Sequence, residues 1–253
     1  MNRIRTFGCS LTSYHKWQYL VKNHPFDGRN SDPEEDSSWH DGEMKHPPVE
    51  WTHERHRICE WTHDGIHLTD YSMAGWGNDV QHIQYANEVY YKNISKDDII
   101  IWQLTSPYRI AIRHMGILGT GELKFQNVFN GEEMFMDTLT EPDAKDIHSP
   151  FLKATTYNTL WQLNGIKRNN DKLLVLFGWD ACWINKGFSE KKEIINFLKE
   201  HDIDYIEESI LGWSTRHKFF KEDITALHPP QEGYKSFTED CLLPKLNKLK
   251  WLD

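Results

Sequence analysis

Short apolar runs alternating with stretches of helical periodicity predict an α/β fold: a three-layer sandwich around a mostly parallel five-stranded sheet, with helices on both faces. Three observations carry this. Lys172-Leu173-Leu174-Val175-Leu176-Phe177-Gly178 is the clearest buried strand, an apolar run closed by a glycine. Ile99-Ile100-Ile101-Trp102-Gln103-Leu104 is a second such run. Helical patterns separate the runs, and parallel neighbours need crossovers of that kind. The chain has 253 residues, 38% of them apolar, enough for one core. No linker signature or long repeat interrupts it, so one domain over 1–253 is expected.

The elements follow in order. Residues 3–8 read as a strand and Tyr14 to Val21 as a short helix. Residues 24–48 form a long polar insertion, with Asp27-Gly28-Arg29-Asn30-Ser31-Asp32-Pro33 and Pro47-Pro48, too polar to build a core. Residues 49–62 read as a helix entered after Pro48, and 66–71 as a strand. Residues 78–92 read as a helix capped by Asn78, with Val80, Ile83, Tyr85, Ala86, Val89 and Tyr90 at apolar positions. A buried strand at 98–104 precedes a second insertion, 110–149, irregular and rich in Gly, Asp and Glu, read as a lid or subdomain. Then come a helix over 151–168, the strand at 172–178, a helix over 189–201, a short strand at Tyr205-Ile206 and a closing helix over 231–248.

Three pieces of this pattern carry chemistry. Arg3-Ile4-Arg5-Thr6-Phe7-Gly8-Cys9-Ser10-Leu11-Thr12 is a strand that runs into a small-residue turn bearing a serine. A hydroxyl there stands at the carboxyl edge of a sheet, where open α/β folds take ligands; its other reading is a turn cap. Leu68-Thr69-Asp70-Tyr71-Ser72-Met73-Ala74-Gly75-Trp76-Gly77-Asn78-Asp79 reads as strand, glycine turn and helix start. Leu227-His228-Pro229-Pro230, followed by Gly233, holds a histidine in a proline-stiffened loop ahead of the last helix.

In this order the three pieces, spanning residues 3–245, resemble the SGNH (GDSL-type) hydrolase family. The resemblance implies a flavodoxin-like three-layer sandwich. It also implies Ser10 as nucleophile, Gly75 as an oxyanion-hole N–H and His228 as general base. Two positions depart from the pattern. After the third strand the family has an asparagine that completes the oxyanion hole, whereas this chain reads Thr105-Ser106-Pro107-Tyr108-Arg109. Thr105 and Ser106 are the preferred replacements; Gln103 and Arg109 are alternatives, and Arg109 also suits an acidic group on a substrate. Three residues before the histidine the family has an aspartate; here Thr225 stands there, and Asp223 is the nearest acid. A shifted Ser10-His228-Asp223 triad, a Ser-His dyad and a scaffold without catalysis all stay open.

The resemblance implies a serine esterase that removes O-acyl groups from a carbohydrate or small ester through an acyl-enzyme, with no cofactor. The rival readings are a non-catalytic binding module and a metal-binding protein. The latter would use the cluster His53, His56, Cys59, His63 and His67, in which His53 and His56 share a helical face. That spacing does not match a zinc-finger pattern, so no metal is assigned. A net charge of −9 argues against a nucleic-acid partner. Mean hydropathy of −0.70, with no apolar run near the ~20 residues of a spanning helix, argues against a membrane one. Cys9, Cys59, Cys182 and Cys241 show no CxxC spacing, and the chain enters its first strand without a signal core; reduced thiols and a cytoplasmic location are expected. Lys245, Lys248 and Lys250 suit the solvated end of a helix. Most of the 11 tryptophans are expected in the core, while Trp39, Trp76, Trp183 and Trp213 read as loop residues able to stack on sugar rings. Oligomeric state is not encoded in these patterns.

Overall fold

A computed structural model describes residues 2–8, 59–63, 66–72, 77–105, 110–114, 124–128, 141–178, 191–219, 229 and 231–252. Its strands are β1 (Asn2–Phe7), β2 (Cys59–His63), β3 (Ile66–Asp70), β4 (Ile99–Leu104), β5 (Ile110–His114), β6 (Lys124–Val128), β7 (Leu173–Phe177) and β8 (Asp204–Ser209). Its helices are α1 (Asn78–Tyr90), α2 (Glu141–Asn169), α3 (Lys191–Glu200), α4 (Ile210–Arg216), α5 (Gln231–Phe237) and α6 (Leu243–Lys248); a π-helical segment, Thr238–Leu242, joins the last two.

The main sheet has the order β2-β3-β1-β4-β7-β8. Five of its strands are parallel and β2 pairs antiparallel with β3. The architecture is the expected α/β sandwich, with an added edge strand. From β1 the chain goes to β3 on one side and to β4 on the other, so the topological switch point lies at β1.

Alternation along the strands feeds two cores. Phe7, Ile100, Trp102, Leu104, Leu173, Val175 and Phe177 face α1, α2 and α3, meeting Tyr85, Leu160, Leu163 and Leu198. Ile4, Leu68, Ile99, Ile101, Leu174 and Leu176 face α4, α5 and α6, meeting Ile210, Tyr234, Phe237 and Leu246. Strands buried on both faces read as continuous apolar runs, which is why β4 and β7 were plain in the sequence.

Several expectations are corrected. Cys59–His63 is a strand, not the end of a helix over 49–62: its edge pairing with β3, Cys59 opposite Asp70 through His63 opposite Ile66, outweighs local propensity. The 110–149 segment contains a hairpin, β5 against β6 with Ile110 opposite Val128, and its last residues already belong to α2. That helix starts at Glu141 rather than 151 and runs through Pro150, with Pro142 in its first turn, where proline is tolerated. The strand read at 205–206 extends from Asp204 to Ser209 and continues into α4, whose first turn Ser209 caps by accepting from the Gly212 N–H at 2.9 Å. The closing helix is two α segments around a π turn. The helix at Tyr14 to Val21, the insertion 24–48 and residues 49–58 lie outside the described residues.

One ion pair is buried under the sheet. Arg5 on β1 donates to Asp98 at 3.0 Å, with side chains only 5% and 1% exposed, and also donates to Thr69 on β3. Asp98, just before β4, further accepts from the Ser95 hydroxyl at 2.6 Å and lies 3.4 Å from Arg3. This cluster joins three adjacent strands at one level. Removing one partner leaves a buried charge unmatched, so Arg5→Met is expected to destabilise by about 3–5 kcal/mol in urea unfolding. Arg5→Met with Asp98→Leu should recover most of that loss; a single mutant within about 1 kcal/mol of wild type would show the pair is not what holds this level.

Candidate functional site

Parallel pairing sets Thr6 opposite Asp70 and Phe7 opposite Trp102, so β1, β3 and β4 end on one edge of the sheet. Residues 9–12, 73–76 and 106–109, which follow these strand ends in sequence, lie outside the described residues. Polar groups sew the first two exits together. The Thr6 hydroxyl donates to Asp70 Oδ1 at 2.6 Å, the Ser72 N–H donates to the same oxygen at 2.9 Å, and the Tyr71 N–H donates to the Thr6 carbonyl at 2.9 Å. Asp70 is buried, and these bonds compensate its lost hydration.

Of the sequence-derived site residues, Thr105 falls within the described part. Ser10, His228, Asp223, Gly75 and Ser106 lie outside the described residues, as do Arg109, His53, His56, Trp39, Trp76 and Trp183. Thr105 is buried directly after β4. Its N–H donates to Asn78 Oδ1 at 3.0 Å and its carbonyl accepts from Asn78 Nδ2 at 3.1 Å. Asn78 is therefore a clamp between α1 and the end of β4. It is not the helix cap, which is Gly77. With the Thr105 backbone engaged in this way, only its hydroxyl is left to act, and that hydroxyl has no hydrogen-bond partner among the described residues. Gln103 lies inside β4, where its Nε2 donates to the Leu104 carbonyl at 2.5 Å.

The buried stripe of α1 differs from the expected apolar one. Asn78, Val80, Gln81, Tyr85 and Glu88 face inward, whereas Ile83 is 37% and Tyr90 79% exposed. Polar members of the stripe are satisfied one after another: Asn78 by Thr105, the Tyr85 hydroxyl by Asn170 at 2.5 Å, and Glu88 by Gln84 at 2.7 Å and Asn93 at 2.8 Å. Gln81 is the exception. It is fully buried, and neither its Nε2 nor its Oε1 has a partner among the described residues. Leaving such a group unmatched costs about 1–3 kcal/mol. Sequence reading passed over Gln81 because a glutamine on a helix ordinarily faces water; its spacing three residues after Asn78 and four before Tyr85 was the available signal.

Burial also acts on the rings beside it. It pushes the Tyr85 phenol up to about 12 and lowers the His82 imidazole below its usual 6.5. His82 stacks near Tyr85 at 6.3 Å, and Tyr85 in turn meets the Phe7 ring edge-on at 5.8 Å. Phe7 lies between Tyr71 at 5.1 Å and Trp102 at 5.3 Å.

On the other face, α5 approaches α4 and Pro229 closely at Gly233. A Cβ there would stand 2.8 Å from the Ser214 hydroxyl oxygen and 3.1 Å from Pro229 Cβ. The glycine thus allows the tight seat of the residue that follows His228 in sequence. Trp213 belongs to α4 rather than a loop: its indole N–H donates to the Ser236 hydroxyl at 3.1 Å and its ring covers His217 at 3.8 Å. Away from this edge, a groove of about 610 Å³ runs along β8, lined by Lys191, Tyr205, Glu207, Arg216, Cys241 and Lys245. Its cations are engaged, Arg216 with Glu208, Lys245 with Asp204 at 2.8 Å, and Lys191 over the Phe177 ring at 4.9 Å. Among the described residues no three His, Cys, Asp or Glu side chains gather as metal ligands, and no helix is long and apolar enough to cross a membrane.

No protein-family model and no curated protein matches the chain. Solved structures that match include two variants of Axe2 from Geobacillus stearothermophilus. The one described as an acetyl-xylooligosaccharide esterase has 8% identity and a TM-score of 0.45, over 97% of this chain and 94% of that one. The one described as an acetylxylan esterase has the same identity and TM-score, over 94% and 93%.

Two glycines in helices give opposite expectations. Gly165 in α2 has nothing within 4 Å of an added Cβ, so Gly165→Ala should stabilise by about 1 kcal/mol through helix propensity. Gly233→Ala should lose about 1–3 kcal/mol, because overpacking against Ser214 and Pro229 outweighs that gain. Thermal unfolding of the two variants checks both signs. A second expectation concerns acid. Since the folded state keeps His82 neutral, the stability this contributes is present above the usual 6.5 and declines as pH falls through 6.5 toward the lowered folded value. His82→Gln should therefore show a smaller drop in melting temperature than wild type between pH 7.5 and about 5; an equal drop would assign the acid sensitivity to other groups.

Proposed function

We propose that the chain is an SGNH-type serine hydrolase, a single domain over 1–253 that cleaves an O-acyl ester of a carbohydrate or small molecule. The observation that supports it most is the common edge of β3, β1 and β4 at the switch point, the strand ends after which Ser10, Gly75 and Thr105-Ser106 follow in sequence. The close seat of Pro229 against Gly233 supports a firmly held loop for His228.

In this reading Ser10 attacks the acyl carbonyl while His228 takes its proton. The resulting oxyanion accepts from the Gly75 N–H and from a hydroxyl of Thr105 or Ser106, each donor worth about 3 kcal/mol where such groups have been measured. His228 then protonates the departing alcohol, and water, deprotonated by His228, hydrolyses the acyl-serine. Asp223 orients the imidazole. Thr105 suits its part because its backbone is locked by Asn78 and its hydroxyl is unclaimed.

Hydrolysis of short-chain p-nitrophenyl esters and labelling by a fluorophosphonate test the reading. Ser10→Ala and His228→Ala are each expected to abolish turnover with the fold retained by circular dichroism. Because the two act as a unit, the double variant should be little worse than either. Ser10→Ala retaining more than about a tenth of kcat, a cost under ~1.4 kcal/mol, would remove the serine from the mechanism. An unlabelled, inactive wild-type protein would favour the non-catalytic binding module.

A further inference from the structure

We propose that Gln81 reads the substrate: its carboxamide takes two neighbouring hydroxyl groups of a carbohydrate ester, which sets specificity and rests on the esterase reading above. Every other polar side chain of the buried α1 stripe has a partner; Asn78, Tyr85 and Glu88 are each matched. Gln81, between them, has neither donor nor acceptor satisfied among the described residues although it is fully buried. Its place on the helix is bracketed. Three residues before it, Asn78 grips the backbone at the end of β4. Four residues after it, Tyr85 packs on Phe7 at the end of β1. Gln81 is thus placed on α1 between the levels of Thr105 after β4 and Phe7 at the end of β1, on the carboxyl side of the sheet, where open parallel sheets take their ligands.

The chemistry of the orphan selects the class of ligand. A carboxamide offers a donor and an acceptor side by side and no formal charge. Its complement is a neutral group with an acceptor next to a donor, which adjacent sugar hydroxyls supply: one accepts from Nε2 while the other donates to Oε1. A carboxylate or phosphate would satisfy Nε2 and leave Oε1 facing negative charge. A simple alkyl or aryl ester offers acceptors alone and would leave Oε1 unmatched.

The test compares two esters of the same acyl group, p-nitrophenyl acetate and a mono-O-acetylated methyl glycoside, on wild type and Gln81→Leu. The leucine is close in size and removes the orphaned polar atoms, so its melting temperature should equal or exceed that of wild type. The kcat/KM for the acetylated glycoside is expected to fall at least about 100-fold, in the range seen when a site loses its match to a substrate hydroxyl, while that for p-nitrophenyl acetate stays within about 3-fold. A parallel fall for both esters, or no change for either, overturns the proposal.

A second measurement does not depend on turnover. The Gln81 side-chain amide resonance, identified by its loss in Gln81→Leu, should shift when the acetylated glycoside is titrated into Ser10→Ala; an unmoved resonance overturns the role. An active, labelled wild-type enzyme with unmoved resonance and unchanged selectivity discards Gln81 and leaves the esterase reading standing. A wild-type protein with neither turnover nor labelling discards the esterase reading, and the resonance titration then decides the Gln81 role by itself.

Discussion

Strand β1 is paired in parallel on both edges, Asn2 through Thr6 against β3 and Ile4 through Phe7 against β4, and the rest of the molecule is arranged around that double pairing. A strand so placed exposes no edge, and its side chains enter both cores: Ile4 one, Phe7 the other. Parallel neighbours require crossovers, so β1, β3 and β4 end on one edge of the sheet; α1, α2 and α3 lie in such crossovers, while α4, α5 and α6 follow β8 and cover the other face. The edge that carries candidate chemistry follows from the topology of one short strand near the N-terminus.

Polar groups then fix what apolar packing leaves loose. Hydrophobic contacts are non-directional, so they hold β1 between its neighbours without setting its exact height. At one end Arg5 and Asp98 set that height, with Thr69 as a third point. Toward the other end Thr6 and Asp70 do so through a 2.6 Å hydrogen bond. Asn78 repeats the device between α1 and Thr105. Each bond joins residues far apart in sequence, and each is buried, where an unmatched partner is costly. Gln81 stands out against this background because both polar atoms of its buried side chain lack a partner among the described residues, while Asn78, Tyr85 and Glu88 on the same stripe are matched.

Legibility in the sequence tracked how local the cause was. β4 and β7 were plain because burial on both faces leaves an unbroken apolar run. α3 was plain because Ile194, Ile195, Phe197 and Leu198 fall at helical spacing. β2 was misread, since Cys59-Glu60-Trp61-Thr62-His63 becomes a strand only through an edge partner in β3. The α1 stripe was misread because Asn78, Gln81 and Glu88 look like surface residues; the partners of Asn78 and Glu88, Thr105 and Asn93 among them, lie across turns. For the site, the order of the three motif-bearing pieces, most of whose candidate residues lie outside the described ones, was readable along the chain. The clamp on Thr105 and the orphaned Gln81 amide were not.

By itself, then, the sequence determined the α/β class and the alternation of strands and helices, because these depend on periodicities of two and 3.6 residues written into the chain. Tertiary structure alone decided the strand order with its switch point at β1, the antiparallel edge β2, and which polar residues meet inside. Those outcomes depend on pairings between segments such as Thr6 with Asp70, Arg5 with Asp98 and Asn78 with Thr105. No local pattern encodes a partner some tens of residues away; it is selected only when burial makes an unmatched polar group more costly than the loop that brings its match.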